Sequence, residues 1–186
     1  MKYNMGCGFN KMDGYTNVDK YMEARPDLLM DLEITPWPIE SNSAEEVFFN
    51  HSLEHMGGSS QVFLSIIQEI YRISMPEAMI HIHAPHPRHD DFINDPTHVR
   101  IITPDMMALF SKKNNLQWQE EGAPNSPLGL YLNVDFEVID AQMILDEKFA
   151  EMVNQTNLAP HELLSLAREK NNVVSEYRIT MKVIKS

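Results

Sequence analysis

The chain has 186 residues, 43% of them hydrophobic and 23% charged, enough apolar material to bury a core without disulfide or metal staples. Acidic residues outnumber basic ones 27 to 15, giving a net charge of -12. No run of Lys or Arg exists to displace counterions from a phosphate backbone, so direct nucleic-acid binding is disfavoured. The single cysteine, Cys7, precludes an internal disulfide and suits a reducing compartment. With no apolar leader and no apolar run near the ~20 residues that span a bilayer, the expectation is a soluble, cytoplasmic protein with no membrane partner.

In chain order, short strand signals alternate with helical ones, the pattern of an α/β sheet. Lys2–Met5 is a very short strand running into Gly6-Cys7-Gly8. Tyr15–Val18 is a second, ending at Asp19, and Leu28–Met30 a third, ending at Asp31. Glu46–Asn50 is the fourth. From Ser59, the residues Val62, Phe63, Ile66, Ile67, Ile70 and Tyr71 lie on one face of an amphipathic helix, with Ser59 or Ser60 as its N-cap. Ala78–Ala84 is a fifth strand. Thr103–Asn114 reads as a helix with Pro104 at its first position and lysines in its last turn.

Leu132–Leu145 and Tyr177–Ile184 alternate as strands, with a helix over Pro160–Asn171 between them. They predict an antiparallel C-terminal hairpin closing one edge of a mostly parallel, Rossmann-like seven-stranded sheet. One domain is expected, with residues 1–118 as cofactor-binding core and 119–186 completing the sheet. Pro85–Arg100, dense in His, Asp and Pro, reads as a functional loop.

Two glycines directly after a first strand let the backbone approach a ligand closely. Asp19, Asp31 and Asn50 fall at strand ends, on the carboxyl edge where open α/β sheets bind ligands. A dinucleotide fits poorly, because there is no third glycine and almost no room for a helix whose N-terminus could hold a pyrophosphate. A nucleoside cofactor without phosphate suits the turn better.

The segments "NMGCGFNKMDGYTNVD", "PDLLMDLEITPWPIESNSAEEVFFNHSLEH", "EIYRIS" and "DPTHVRIITPDMM" resemble, in order and spacing, the motifs of small class I S-adenosylmethionine-dependent methyltransferases of the type 11-like group. The resemblance implies that fold and S-adenosyl-L-methionine (SAM) as cofactor. It places Gly6, Cys7 and Gly8 against the methionine part, Asp19 on the ribose hydroxyls, Asp31 and Leu32 at the adenine edge, and Asn50 and His51 beside the sulfonium. Three departures stand out: Asn4 replaces the usual acid two residues before the first glycine, little chain precedes the first strand, and Pro76-Glu77-Ala78 replaces a Pro-Gly-Gly turn. A non-catalytic relative that keeps the fold is the alternative reading.

Of the eight histidines, His86 and His98 lie beyond the fifth strand on the acceptor side. With His51 they are the catalytic candidates, imidazole being a general base near neutrality. The implied substrate is a small molecule or glycan-type acceptor held by the Pro85–Arg100 loop. His81, His83, His86, His89 and His98 match no compact zinc spacing, so no metal ligands are assigned. The string His51-Ser52-Leu53-Glu54-His55 carries the H-x-x-E-H pattern of a zinc peptidase. That chemistry needs a regular helix, whereas His51 follows a strand and Gly57-Gly58 interrupts what comes after. His55 is expected to pack or anchor the loop.

Overall fold

The computed structural model describes residues 1–156 and 159–185. Seven strands form one sheet: β1 (Lys2–Met5), β2 (Thr16–Asp19), β3 (Leu28–Leu29), β4 (Ala44–Asn50), β5 (Ser74–Pro85), β6 (Phe136–Leu145) and β7 (Val174–Val183). Their spatial order is β3-β2-β1-β4-β5-β7-β6. β1 to β5 are parallel. β7 runs antiparallel to both β5 and β6, so the reversal in the sheet is carried by β7 alone. The expected mostly parallel sheet with a C-terminal antiparallel pair is present.

From β1 the chain builds outward through β2 and β3, then returns to lay β4 on the other flank of β1. The carboxyl ends of β1 and β4 therefore border a topological switch point, the crevice where open α/β sheets take ligands.

Helix α1 (Ser60–Ile73) starts at Ser59, whose side chain accepts the Val62 N–H. It buries Phe63, Ile66, Ile67, Ile70 and Ile73 in the same core as Val47, Phe49, Ile80 and Ile82. At that helix's end Arg72 donates to Glu69 and to the carbonyls of Trp37 and Ile39. Trp37 is buried, its indole N–H on the Leu32 carbonyl, so it packs the core.

A short helix α2 (Asp90–Ile93) is capped by His89. The single helix expected over Thr103–Asn114 is two, α3 (Pro104–Ala108) and α4 (Lys112–Glu121). Leu109 and Phe110 give their carbonyls to the Gly129 and Phe136 N–H groups, which peels the backbone off the first helix. Ser111 then caps the second, so the lysines open a helix instead of closing one. The remaining helices are α5 (Leu128–Leu132), α6 (Glu147–Thr156) and α7 (Pro160–Glu169). Of the segment read as strand from Leu132, that first residue ends α5 and the strand begins only at Phe136, while α7 matches the helix expected from Pro160. Among the described residues, no helix is long and apolar enough to cross a membrane.

Glu77 stands where the resemblance implies glycine, and its φ is 65°, a conformation that costs an L-residue about 1–2 kcal/mol. Its contact with Lys182 at 3.1 Å is an exposed ion pair and returns little. Glu77→Gly should therefore stabilise the protein by about 1 kcal/mol in denaturant unfolding; a loss of stability would show that the ion pair outweighs the backbone strain.

Candidate functional site

The site is built where β1 ends. Beyond Met5, Gly6 and Gly8 take φ of 68° and 49°, and the Cys7 N–H donates to the Val18 carbonyl at 2.9 Å. Ser52 donates its hydroxyl to the Met5 carbonyl at 2.7 Å. A Cβ on Gly6 would lie 2.6 Å from the Ser52 Cβ, whereas one on Gly8 would meet nothing within 4 Å. Gly6 is therefore required by packing, and Gly8 leaves backbone open to the crevice.

Asp19, at the end of β2, accepts the Gly8 N–H at 2.8 Å through one oxygen and the Tyr21 N–H at 2.9 Å through the other. It fixes the glycine turn and still has lone pairs to offer, since a carboxylate can accept about four hydrogen bonds. After β3, Asp31 accepts the Glu33 N–H, and Glu33 in turn accepts the Gly57 N–H at 2.8 Å. That last bond ties the β3 exit to the loop after β4 and closes the far wall.

The result is a cavity of about 420 Å³. Of the residues expected to bind a cofactor, Gly6, Gly8, Asp19, Asp31, Leu32 and His51 line it. Cys7 does not: it is buried, and burial followed by the nearby Asp19 charge pushes its thiol pKa up. Asn50 does not line it either. Asn50 is the last residue of β4, paired with His83, and the left-handed backbone at His51 (φ 50°) turns Ser52 to the cavity in its place. Lining residues not anticipated from sequence include Lys20, Tyr21, Ser52, His55 and Thr97.

The three candidate histidines are separated. His51 lines the cavity but is held by two carboxylates, with Glu54 Oε1 3.7 Å from Nδ1 and Glu176 Oε2 2.7 Å from Nε2. Glu54 first, then Glu176, raise its pKa against the opposing effect of burial. The two carboxylates thus favour the protonated ring, which is the form unable to accept a further proton.

His86 lines a different cavity of about 490 Å³, with Arg88, Asp105 and Tyr177. Burial, then the neighbouring Arg88 and His89, lower its pKa. His98 stacks on Phe92 and lies 4.5 Å from the His55 ring, centroid to centroid. It stands behind His55 and Thr97, which face the cavity. The Pro85–Arg100 loop is thus divided between two cavities.

Among the described residues, His81, His83 and His89 belong to no cluster of metal-ligand atoms. His81 contacts Thr180 and Glu46, His83 sits edge-on to Phe48, and His89 caps α2. The H-x-x-E-H string is not a zinc-peptidase helix: Leu53–His55 is a single 3₁₀ turn and His51 is drawn off toward Glu176.

The pKa of His51, raised above its ordinary 6.5, makes a stability contribution that is complete below 6.5 and lost as pH rises through the raised value. An NMR titration should place the His51 midpoint above 6.5, and Glu176→Gln should lower it; an unshifted wild-type midpoint would contradict the two-carboxylate clamp.

No protein-family profile matches the sequence, and no curated protein is similar to it in sequence. Similar solved structures are numerous. A SAM-dependent methyltransferase from Archaeoglobus fulgidus is 16% identical, with a TM-score of 0.63 over 97% of this chain and 85% of its own. A SAM-dependent methyltransferase from Methanosarcina mazei is 11% identical, with a TM-score of 0.55 over 100% of this chain and 92% of its own. The [4+2]-cyclase SpnF is 13% identical, with a TM-score of 0.54 over 100% of this chain and 75% of its own. The chain has the class I methyltransferase fold. That the fold also serves a cyclase means that the reaction must be argued from the site.

Proposed function

We propose that the protein is a SAM-dependent methyltransferase acting on a small-molecule or glycan-type acceptor. The observation that carries this reading is the convergence of Gly6, Gly8, Asp19, Asp31 and Leu32 on one cavity at the switch point of the sheet. Gly8 leaves an open face for a ligand, and Asp19 is a two-oxygen acceptor suited to two vicinal hydroxyls. Asp31 and the buried Leu32 offer an acceptor and an apolar face to a base.

Charge and backbone agree with a nucleoside sulfonium. The lining acids Asp19, Asp31 and Glu33 outnumber the lining Lys20, which favours a cationic ligand. Between Gly8 and β2 the chain makes turns and no helix, so no helix N-terminus stands ready for a pyrophosphate. When bound, SAM supplies the activated methyl group. The protein's part is alignment and proton management: Asp19 and the glycine turn orient one end, while the His51, Ser52, His55 and Thr97 wall faces the other and would meet the acceptor.

Calorimetry with SAM and S-adenosylhomocysteine tests the reading. Both should bind at one site per chain, and Asp19→Ala should cost about 1–3 kcal/mol, roughly 5- to 150-fold. A folded sample that binds neither ligand would sink the proposal, and unchanged affinity in Asp19→Ala would remove the ribose assignment. Release of S-adenosylhomocysteine across a panel of amines, hydroxyls and sugars then separates turnover from cofactor binding alone.

A further inference from the structure

We infer that Glu54, His55 and His98 form a site for a divalent first-row transition cation at the edge of the cavity. Ligand atoms from these three residues lie within 4.8 Å of one another, although His98 is 43 positions from His55 in sequence. Two imidazoles and one carboxylate are the donor set of open, three-ligand zinc and iron(II) sites.

The second observation is the state of Glu54. The residue is 1% exposed, and neither carboxylate oxygen has a hydrogen-bond partner among the described residues. His51 Nδ1, 3.7 Å from Oε1, faces its charge but is beyond hydrogen-bond reach, so the lone pairs of both oxygens stay unfilled. Buried polar atoms without partners are costly, and a bound cation accepting those lone pairs would remove that cost.

The third is the hydrogen bonding of the rings. Thr97 spends its hydroxyl proton on Asp95 at 2.6 Å, so the 2.9 Å contact between Thr97 Oγ1 and His55 Nδ1 must be donated by the imidazole. His98 Nδ1 faces the Phe92 carbonyl at 3.1 Å, which can only accept. Both neutral rings are therefore fixed with the proton on Nδ1 and the lone pair on Nε2. Donation of one ring N–H to a carbonyl or hydroxyl while the other nitrogen stays free is the usual outer-shell support of a metal-binding histidine. Asp95, with Oδ2 3.8 Å from His98 Nε2, adds negative charge at the same place.

His55 and Thr97 both line the cavity, so a ligand position left open by three protein donors would face the acceptor side. There the cation can draw an acceptor oxygen or a water and lower its pKa. This inference does not depend on methyl transfer, and its test is read without SAM. Protein stripped with a chelator is titrated with Zn²⁺ and with Co²⁺, whose visible absorption reports coordination, and elemental analysis of untreated protein distinguishes zinc from iron.

The expected result is one ion per chain, with affinity falling about 100-fold or more in Glu54→Gln and His98→Ala and about 10- to 100-fold in Thr97→Val. The last is an exposed position that keeps the fold safe. His86→Ala and His89→Ala, outside the cluster, should bind as wild type. Absence of stoichiometric binding, or binding indifferent to Glu54, Thr97 and His98, would overturn the inference; cofactor calorimetry on the same samples keeps the two readings apart.

Discussion

The contact between Ser52 and the Met5–Gly6 backbone is the constraint on which the site depends. The Ser52 hydroxyl is bonded to the Met5 carbonyl, and Gly6 is the residue that lets the two segments approach so closely, since any Cβ there would overlap Ser52. The contact draws the exits of β1 and β4 to one another across the switch point. The glycine turn, Asp19 and the loop after β4 then face a common space. The same contact follows the left-handed residue His51, whose turn sends Glu54 inward and His55 outward to the cavity. Strain at His51, a packed glycine and a buried carboxylate thus belong to one local arrangement, and such departures from ordinary backbone and burial rules gather at functional sites.

Much of the fold was legible because its signals are local. Lys2–Met5 running into two glycines, the acids closing the second and third strands, and the 3.6-residue periodicity of α1 are all short-range features. The C-terminal pair was legible by alternation. The break between α3 and α4 was not, since it is made by the carbonyls of Leu109 and Phe110 bonding to Gly129 and Phe136, partners 20 and more residues away. β5 likewise begins earlier than its apolar core suggests, because Ser74 already pairs with Ala44.

The lining of the cavity was legible at the glycine-turn side and obscure at the other. Gly6, Gly8, Asp19, Asp31 and Leu32 carry their signal in strand-end position. The strand-end pattern points to Asn50, whereas Ser52 lines the cavity, a shift that accompanies the positive φ of His51; histidine is enriched in that region, but too weakly for residue type alone to place it there. The failure of the H-x-x-E-H spacing as a helix leaves His55 a packing or loop-anchoring role, and its 2.9 Å bond to Thr97 is such an anchor. Its partners come from elsewhere: His98 and Thr97 reach it from the loop after β5. A five-residue pattern that fails locally can still contribute two donors to a cluster completed by a distant segment.

The central claim is that the crevice between β1, β2 and β4 holds a nucleoside cofactor with its ribose on Asp19. A crystal structure of the protein soaked or co-crystallised with S-adenosylhomocysteine tests it most directly. The account predicts ligand density against Gly8 with both ribose hydroxyls within hydrogen-bond distance of Asp19 and the base beside Asp31 and Leu32. Density confined to the His86–Tyr177 cavity, or a ribose turned away from Asp19, would contradict it.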